Sequence, residues 1–414
     1  MDLAAGALQT GAMGAEFLKR MDWLNAPRVG AYLRLFAVIN LVMIVWLVAT
    51  SHNGVDANGY LLGSDFISFW TTGHMLVAHG NPYDGAAHIA AQRTYFSAEG
   101  AYTAFYYPPS FLPFCWPLGW LAYFPALALW VAATGAFYLA AVRRWWAGAG
   151  TGLPVWLLFA AFPAVPIVVT HGQTAFLVAG LLGLGAWLVP TRPLLAGALF
   201  GLATIKPQFG LLLPLVLLAT GQWRVIAAAG ATAIALALLS AGAFGPHAWA
   251  DWVGASERAQ TAMAYGQIGY GKMMSPFAAL RLLGAPMALS YTVQGALTLA
   301  AAVLVLQASW RRQWSAGLAA LMLAGAPLAT PYVLDYDMVI LAFPMLWLAG
   351  EGLRRGFRDW ERCALFLTFA GPALARPLAL NLHFPIMPLV LAFFFVIIWR
   401  RAAPAYQERA AVPF

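Results

Sequence analysis

The chain is poor in charge and poorer still in cysteine. Only 9% of its 414 residues are Asp, Glu, Lys or Arg, and no segment reads as a soluble domain. Cys115 and Cys363 stand far apart in apolar surroundings, which excludes a disulfide framework or a cysteine-rich metal site and leaves the compartment unread. A nucleotide-binding glycine loop, a zinc signature and a serine-nucleophile elbow are all missing. So are low-complexity tracts and internal repeats. No cleavable signal peptide is convincing either, because the first apolar run, 31–50, is long and follows Lys19, Arg20 and Arg28. It reads as a signal-anchor helix with a cytoplasmic N-terminus. Lys and Arg outnumber Asp and Glu by 23 to 15, yet they fall in short clusters between apolar stretches. That is the positive-inside pattern of membrane proteins, not a nucleic-acid-binding patch.

What the chain has in abundance is apolar sequence: 62% of residues are hydrophobic. Nearly uncharged runs of about 17 to 20 residues recur from Ala31 to Arg400, as bilayer-crossing helices require. The expected fold is an all-α polytopic membrane protein forming one domain over 1–414. Placing Arg143-Arg144, Arg192, Arg224, Arg311-Arg312, Arg354 to Arg362 and Arg400-Arg401 in the cytoplasm gives about twelve spans. They fall near 31–50, 125–142, 153–170, 174–189, 193–205, 208–220, 223–243, 289–308, 314–330, 337–350, 362–380 and 385–400. Those at 193–205 and 208–220 are short for a crossing, so they are expected to be tilted, broken or sunk in the interior. Residues 110–124, interrupted by Pro113 and Pro117, read as a re-entrant or interfacial helix. The threading leaves a cytoplasmic segment at 1–30, extracytoplasmic loops at 51–107 and 244–288, and a cytoplasmic tail at 401–414.

On this threading the unusual polar residues collect on the outer side, where polar groups at membrane depth must be paired or face water. Asp65 opens a helical stretch in the first loop, where Ser64 would cap the helix and Asp65 complement its dipole. A carboxylate there also suits a general base toward a hydroxyl. Gly80-Asn81-Pro82-Tyr83-Asp84 is a turn by local chemistry, and Tyr106-Tyr107-Pro108-Pro109 an interfacial aromatic anchor before a helix start. Gln173 is an amide between two apolar helices. Lys206, one of three lysines, lies in Lys206-Pro207-Gln208 between two short spans. It either snorkels to the interface or neutralises a lipid phosphate, with Lys272 and Arg281 as companions. Tyr332, Asp335 and Asp337 follow Thr330-Pro331; the two acids suit helix caps, sugar hydroxyls or a divalent cation.

These motifs, in their order, resemble membrane glycosyltransferases of the GT-C class, and specifically glycosyltransferase family 87. The residues that carry the resemblance are Asp65, Gly80 to Asp84, Tyr107-Pro108-Pro109, Gly172-Gln173, Lys206-Pro207, Ser275 with Arg281, and Thr330-Pro331-Tyr332. The resemblance implies a GT-C-like fold with a long first extracytoplasmic loop containing short juxtamembrane helices. It also implies inverting transfer of a sugar, mannose or another hexose or pentose, from a polyprenyl-phosphate donor to a hydroxyl of a glycolipid or glycan. The reaction would face the extracytoplasmic side of a bacterial-type cytoplasmic membrane, without a cofactor or a bound metal. Asp65 would be the base; Lys206 with Lys272 or Arg281 would hold the donor phosphate. Asn81, Tyr83, Tyr107, Gln173, Gln208, Tyr332, Asp335 and Asp337 would position substrates. The chain departs from the family's Ser-Pro-x-Ser-Trp-x-His type motif, with Tyr336 at the histidine position, and has Met273-Met274 where polar residues are expected.

A polytopic transporter or lipid flippase is the competing class, and a structural membrane subunit a third. Transporters often show two pseudo-symmetric halves with broken helices at matching positions. The long first loop and the uneven spread of polar loops argue against that symmetry.

Overall fold

A computed structural model describes residues 16–96, 102–147 and 152–403; the rest of the expected N-terminal segment and most of the 401–414 tail lie outside the described residues. Among those described, the fold is helical, and β-pairing is confined to three isolated bridges. Among the described residues, six helices are long and apolar enough to cross a bilayer: Ala26–Ala49, Tyr123–Ala147, Trp223–Phe244, Met287–Ser309, Asp335–Arg355 and Glu361–Leu382. The protein is therefore an integral membrane protein. Asp335–Arg355 is the most enclosed of the six, with 72% of its apolar window buried, against 17% for Ala26–Ala49 and Trp223–Phe244. The enclosed helix belongs to the core, while the other two turn Leu35, Val38, Leu41, Ile234 and Leu238 outward.

The other expected spans are short or interrupted, and the sequence shows why. The stretch at 153–170 divides into Val155–Ala161 and Ala164–His171, because Pro163 has no N–H to continue the ladder. The carbonyls freed at the break are met by Asn40 of the first long helix, whose Nδ2 donates to Ala160 O at 2.8 Å and Ala161 O at 3.1 Å. Pro207 similarly parts Pro193–Leu202 from Leu213–Ala219, and Lys206 at the joint has a non-helical backbone with φ −136° and ψ 71°. Ala175–Leu188, Ala316–Gly325 and Met387–Ala402 are continuous but shorter than the six. The Pro193–Leu202 helix packs on Trp223–Phe244 through Gly197 and Gly201; a Cβ on Gly201 would stand 2.6 Å from Ala229 O.

The first loop is itself a helical layer, with Gly85–Tyr95 packed on Phe66–Val77 and the latter lying over a broken segment at 109–120. That segment reads Pro109–Phe111, Leu112–Cys115 and Trp116–Trp120, alternating 3-10 and α turns around its prolines. It lies flat against Phe66–Val77 because two glycines, Gly73 and Gly119, let the backbones touch. A Cβ on either would strike backbone atoms of the other strand of chain, including Gly119 N at 2.7 Å from a Cβ on Gly73.

Inside the layer, His88 is 1% exposed and lies between Thr72 Oγ1 and Gln92 Nε2, each at 3.2 Å. Gln92 in turn donates to Thr103 O at 2.7 Å. Burial pushes the His88 imidazole down to about 4.

Two outcomes follow. Gly119→Ala is expected to destabilise the protein by about 1–3 kcal/mol through overpacking, read as a lower unfolding temperature in detergent. An unchanged midpoint would show that the contact gives way freely. His88 stays neutral in the folded chain, whereas unfolded histidine takes up a proton below its ordinary pKa. Stability is therefore expected to fall as pH drops from about 6.5 to about 4, by about 3 kcal/mol in total. Unfolding midpoints of the wild type and His88→Gln across that range check it; parallel curves would rule it out.

Candidate active site

Asp65 sits at the N-cap of Phe66–Val77, yet its side chain makes no capping bond. Its backbone N–H donates to His171 O at 3.1 Å, and its carboxylate Oδ2 accepts from Gln173 Nε2 at 2.8 Å. No protein group among the described residues bonds the other oxygen, Oδ1. Gln173 arrives there because Gly172, at φ +66°, ends the preceding helix in the left-handed region that glycine tolerates. Its own Oε1 accepts from Tyr107 O–H at 3.0 Å, and Tyr107 also meets Thr174 Oγ1 at 2.9 Å. Tyr83 extends the series, donating its O–H to Tyr107 O at 2.9 Å. Three motifs far apart in sequence thus form one hydrogen-bonded series ending on Asp65. Burial raises the Tyr107 and Tyr83 phenols, which keeps both as neutral donors.

Asp65, Tyr107, Gln173, Lys206, Gln208, Lys272 and Tyr332 all line one cavity of about 770 Å³. Its walls come from the first loop, the joint at Lys206-Pro207, the second loop and the 330–336 stretch. The second loop is largely helical, with His247–Ala264, Tyr270–Lys272 and Pro276–Leu282. It is fixed to the 330–336 stretch by Met274 N–H donating to Val333 O at 2.8 Å.

Lys206 does not present a free charge. Its Nζ lies 2.5 Å from Asp337 Oδ1, with the side chains 4% and 2% exposed. The ammonium also stands over the rings of Phe209 and Tyr336, at 5.3 Å and 5.1 Å. Asp337 Oδ2 accepts from Leu334 N at 3.1 Å, so the carboxylate is fully engaged. Lys272, by contrast, is partly exposed in the cavity wall and has no ion-pair partner among the described residues.

Several expected site residues stand elsewhere. Arg281 is not in the cavity wall: its guanidinium donates to Ala285 O at 2.6 Å and lies over the Tyr270 ring, closing the end of Pro276–Leu282. Asn81 and Tyr83 form a clasp between loops. Asn81 donates to Asp251 Oδ2 at 2.9 Å, and Arg258 donates to Tyr83 O at 2.8 Å. Asp335 lies behind the wall, 2% exposed, facing Arg376 at 3.5 Å.

The sequence reading missed one wall altogether. Trp252, Ser256, Ala259 and Met263 of His247–Ala264 face the cavity at helical spacing, and Trp252 Nε1 donates to Tyr106 O at 3.1 Å. That 3.6-residue rhythm was visible within the second loop. Arg376 carried no local signal, since its partner is 41 residues away.

The sequence profile of glycosyltransferase family 87 matches residues 105–331, more than half of the chain. The chain belongs to glycosyltransferase family 87. Neither a curated protein nor a solved structure shows significant similarity to it. The glycosyltransferase family 87 match takes in Tyr107, Gln173, Lys206, Gln208, Lys272 and Arg281. Asp65 lies outside it, joined by the bond from Gln173. The described residues contain no group of three or more His, Cys, Asp or Glu side chains arranged to hold a metal ion.

The buried ion pair is open to test. Lys206→Met alone leaves Asp337 uncompensated and is expected to cost about 3–5 kcal/mol of stability, whereas Lys206→Met with Asp337→Leu costs less. Unfolding of the three proteins in detergent decides it, and equal stability of the single and double variants would show that the pair is not coupled.

Proposed function

We propose that this family member is an inverting glycosyltransferase that moves a sugar from a polyprenyl-phosphate donor to a hydroxyl of a glycolipid or glycan. The observation that carries the reading is the free Oδ1 of Asp65 in the same cavity as Lys272 and Lys206. Asp65 takes the proton of the acceptor hydroxyl as its oxygen attacks the anomeric carbon. The bond from that carbon to the phosphate oxygen breaks on the opposite face, its electron pair stays with the phosphate, and polyprenyl phosphate departs. A single displacement of this kind inverts the centre. A retaining route uses a second carboxylate as nucleophile, and Asp335 and Asp337 are instead held behind the wall by Arg376 and Lys206.

The balance of charge supports a monophosphate donor. With Lys206 matched by Asp337, the wall offers a leaving group one cation without an ion-pair partner among the described residues, Lys272, and Lys206 lines the same cavity. One such cation suits a phosphodiester monoanion better than a diphosphate. Gln173 and Tyr107 would orient Asp65, Gln208 would meet sugar hydroxyls, and Tyr332 would position the donor. Asn81 and Tyr83 would act from a distance by fixing the loop, and Arg281 by shaping the turn that carries Lys272. The lysines supply the positive charge in this reading. The basic clusters, on the positive-inside rule, favour a cavity open to the extracytoplasmic side of a bacterial-type cytoplasmic membrane. Family membership favours transfer over transport. We read the shorter helical segments as further crossings in a GT-C-like arrangement of about twelve spans.

Purified protein supplied with radiolabelled polyprenyl-phosphate sugars and glycolipid acceptors is expected to form a glycosidic product. Asp65→Asn should lower turnover by roughly 10²- to 10⁴-fold. Transfer untouched by that change would remove Asp65 as the base, and flux across proteoliposomes without product would point to a transporter.

A further inference from the structure

Two phenols of the cavity wall, Tyr332 and Tyr336, have no hydrogen-bond partner for their hydroxyls among the described residues; the hydrogen bonds these residues make run through the backbone. The hydroxyls of Tyr107, Tyr123 and Tyr138 all donate within the protein. Nor are the two phenols sealed orphans of the kind that Thr71 and Thr368 present. They open onto the cavity, although Tyr336 as a whole is only 4% exposed. A buried donor in a folded protein is normally matched, and one that opens onto a cavity is matched by what occupies it.

The position of Tyr336 says what that occupant brings. Its ring centroid lies 5.1 Å from Lys206 Nζ and 6.0 Å from that of the His171 ring. His171 O is the acceptor for the backbone N–H of Asp65. Tyr336 therefore neighbours both Lys206 and the residue that holds the Asp65 backbone, in the cavity that Asp65 and Lys272 also line. The leaving phosphate gains negative charge as that bond breaks, while Lys206 is already matched by Asp337. Lys272 alone does not balance a phosphate dianion, and a neutral donor can add stabilisation without introducing another charge into an apolar wall.

We propose that Tyr336, assisted by Tyr332, is a catalytic hydrogen-bond donor to the leaving phosphate. The inference rests on the lipid-phosphate reading above. In the step, the anomeric carbon–oxygen bond breaks and its electron pair passes to the phosphate oxygen. The acceptor's proton goes to Asp65, and both phenols keep theirs throughout.

Tyr336→Phe removes the donor and keeps the ring beside Lys206, so the packing is retained. Turnover is expected to fall roughly 10- to 100-fold, as the loss of one hydrogen bond to a charged group implies, with the acceptor KM unchanged. A short-chain prenyl monophosphate in detergent should bind more weakly to the variant by several-fold or more, whereas the corresponding prenyl alcohol binds both proteins alike. Tyr332→Phe added to it should lower turnover further. Wild-type turnover and wild-type monophosphate affinity in Tyr336→Phe would overturn the inference and leave the lipid-phosphate reading standing. A wild-type protein that neither transfers sugar from such donors nor prefers the monophosphate to the alcohol would overturn both.

Discussion

An ammonium group inside an apolar helical assembly is tolerable only beside an anion, and the pairing of Lys206 with Asp337 is what the rest of the cavity depends on. Each charge alone would carry a desolvation penalty of several kcal/mol. Together they join the joint at Lys206-Pro207 to the stretch that begins the most enclosed long helix. Neither partner sits in regular α-helix: Pro207 breaks the chain on one side, and a 3-10 helix, Asp335–Leu341, carries the other. Irregular backbone at this depth persists where it is buried in protein or lines a water-filled space. Here the two irregular stretches meet, and the gap around them is the cavity.

A second constraint comes from the first loop. Its helices hold Asp65 at the cavity edge, but the carboxylate is aimed by residues outside the loop. Gln173 grips one oxygen, Tyr107 grips Gln173, and the helix His247–Ala264 grips the loop through Asn81, Tyr83 and Tyr106. The base and the region matched to glycosyltransferase family 87 thus form one polar unit, although the match begins forty residues after Asp65. Leaving one oxygen of Asp65 unclaimed while fixing the other gives a carboxylate that is oriented and still able to accept.

Much of this was legible in the sequence, and the exceptions have physical causes. Apolar runs and basic clusters were enough to find all six long helices, because length and hydropathy are local properties. Asp65, Gln173, Lys206 and Lys272 all fall in the loops and joints that the threading sets apart from the basic clusters, and all four line the cavity. Partnership was not legible. Lys206 read as a free cation because Asp337 lies 131 residues away, and Arg281 read as its companion because nothing local reveals a guanidinium turned onto Ala285 O. Asn81 and Tyr83 looked like site residues and are the clasp that positions the site. The helical face of 252–263 is legible in its spacing, although its position between two spans reads as a loop.

The long sequence separation within the ion pair bears on how the protein is made. Lys206 leaves the ribosome 131 residues ahead of Asp337, an interval on the order of ten seconds at common rates of synthesis. Throughout that interval the lysine lacks the anion that compensates it in the folded chain, and burying it alone would carry its full desolvation penalty. Insertion of the two short helices on either side of Pro207 is thereby tied to completion of the chain, and a truncated product would be left with a stranded charge that quality-control proteases can recognise.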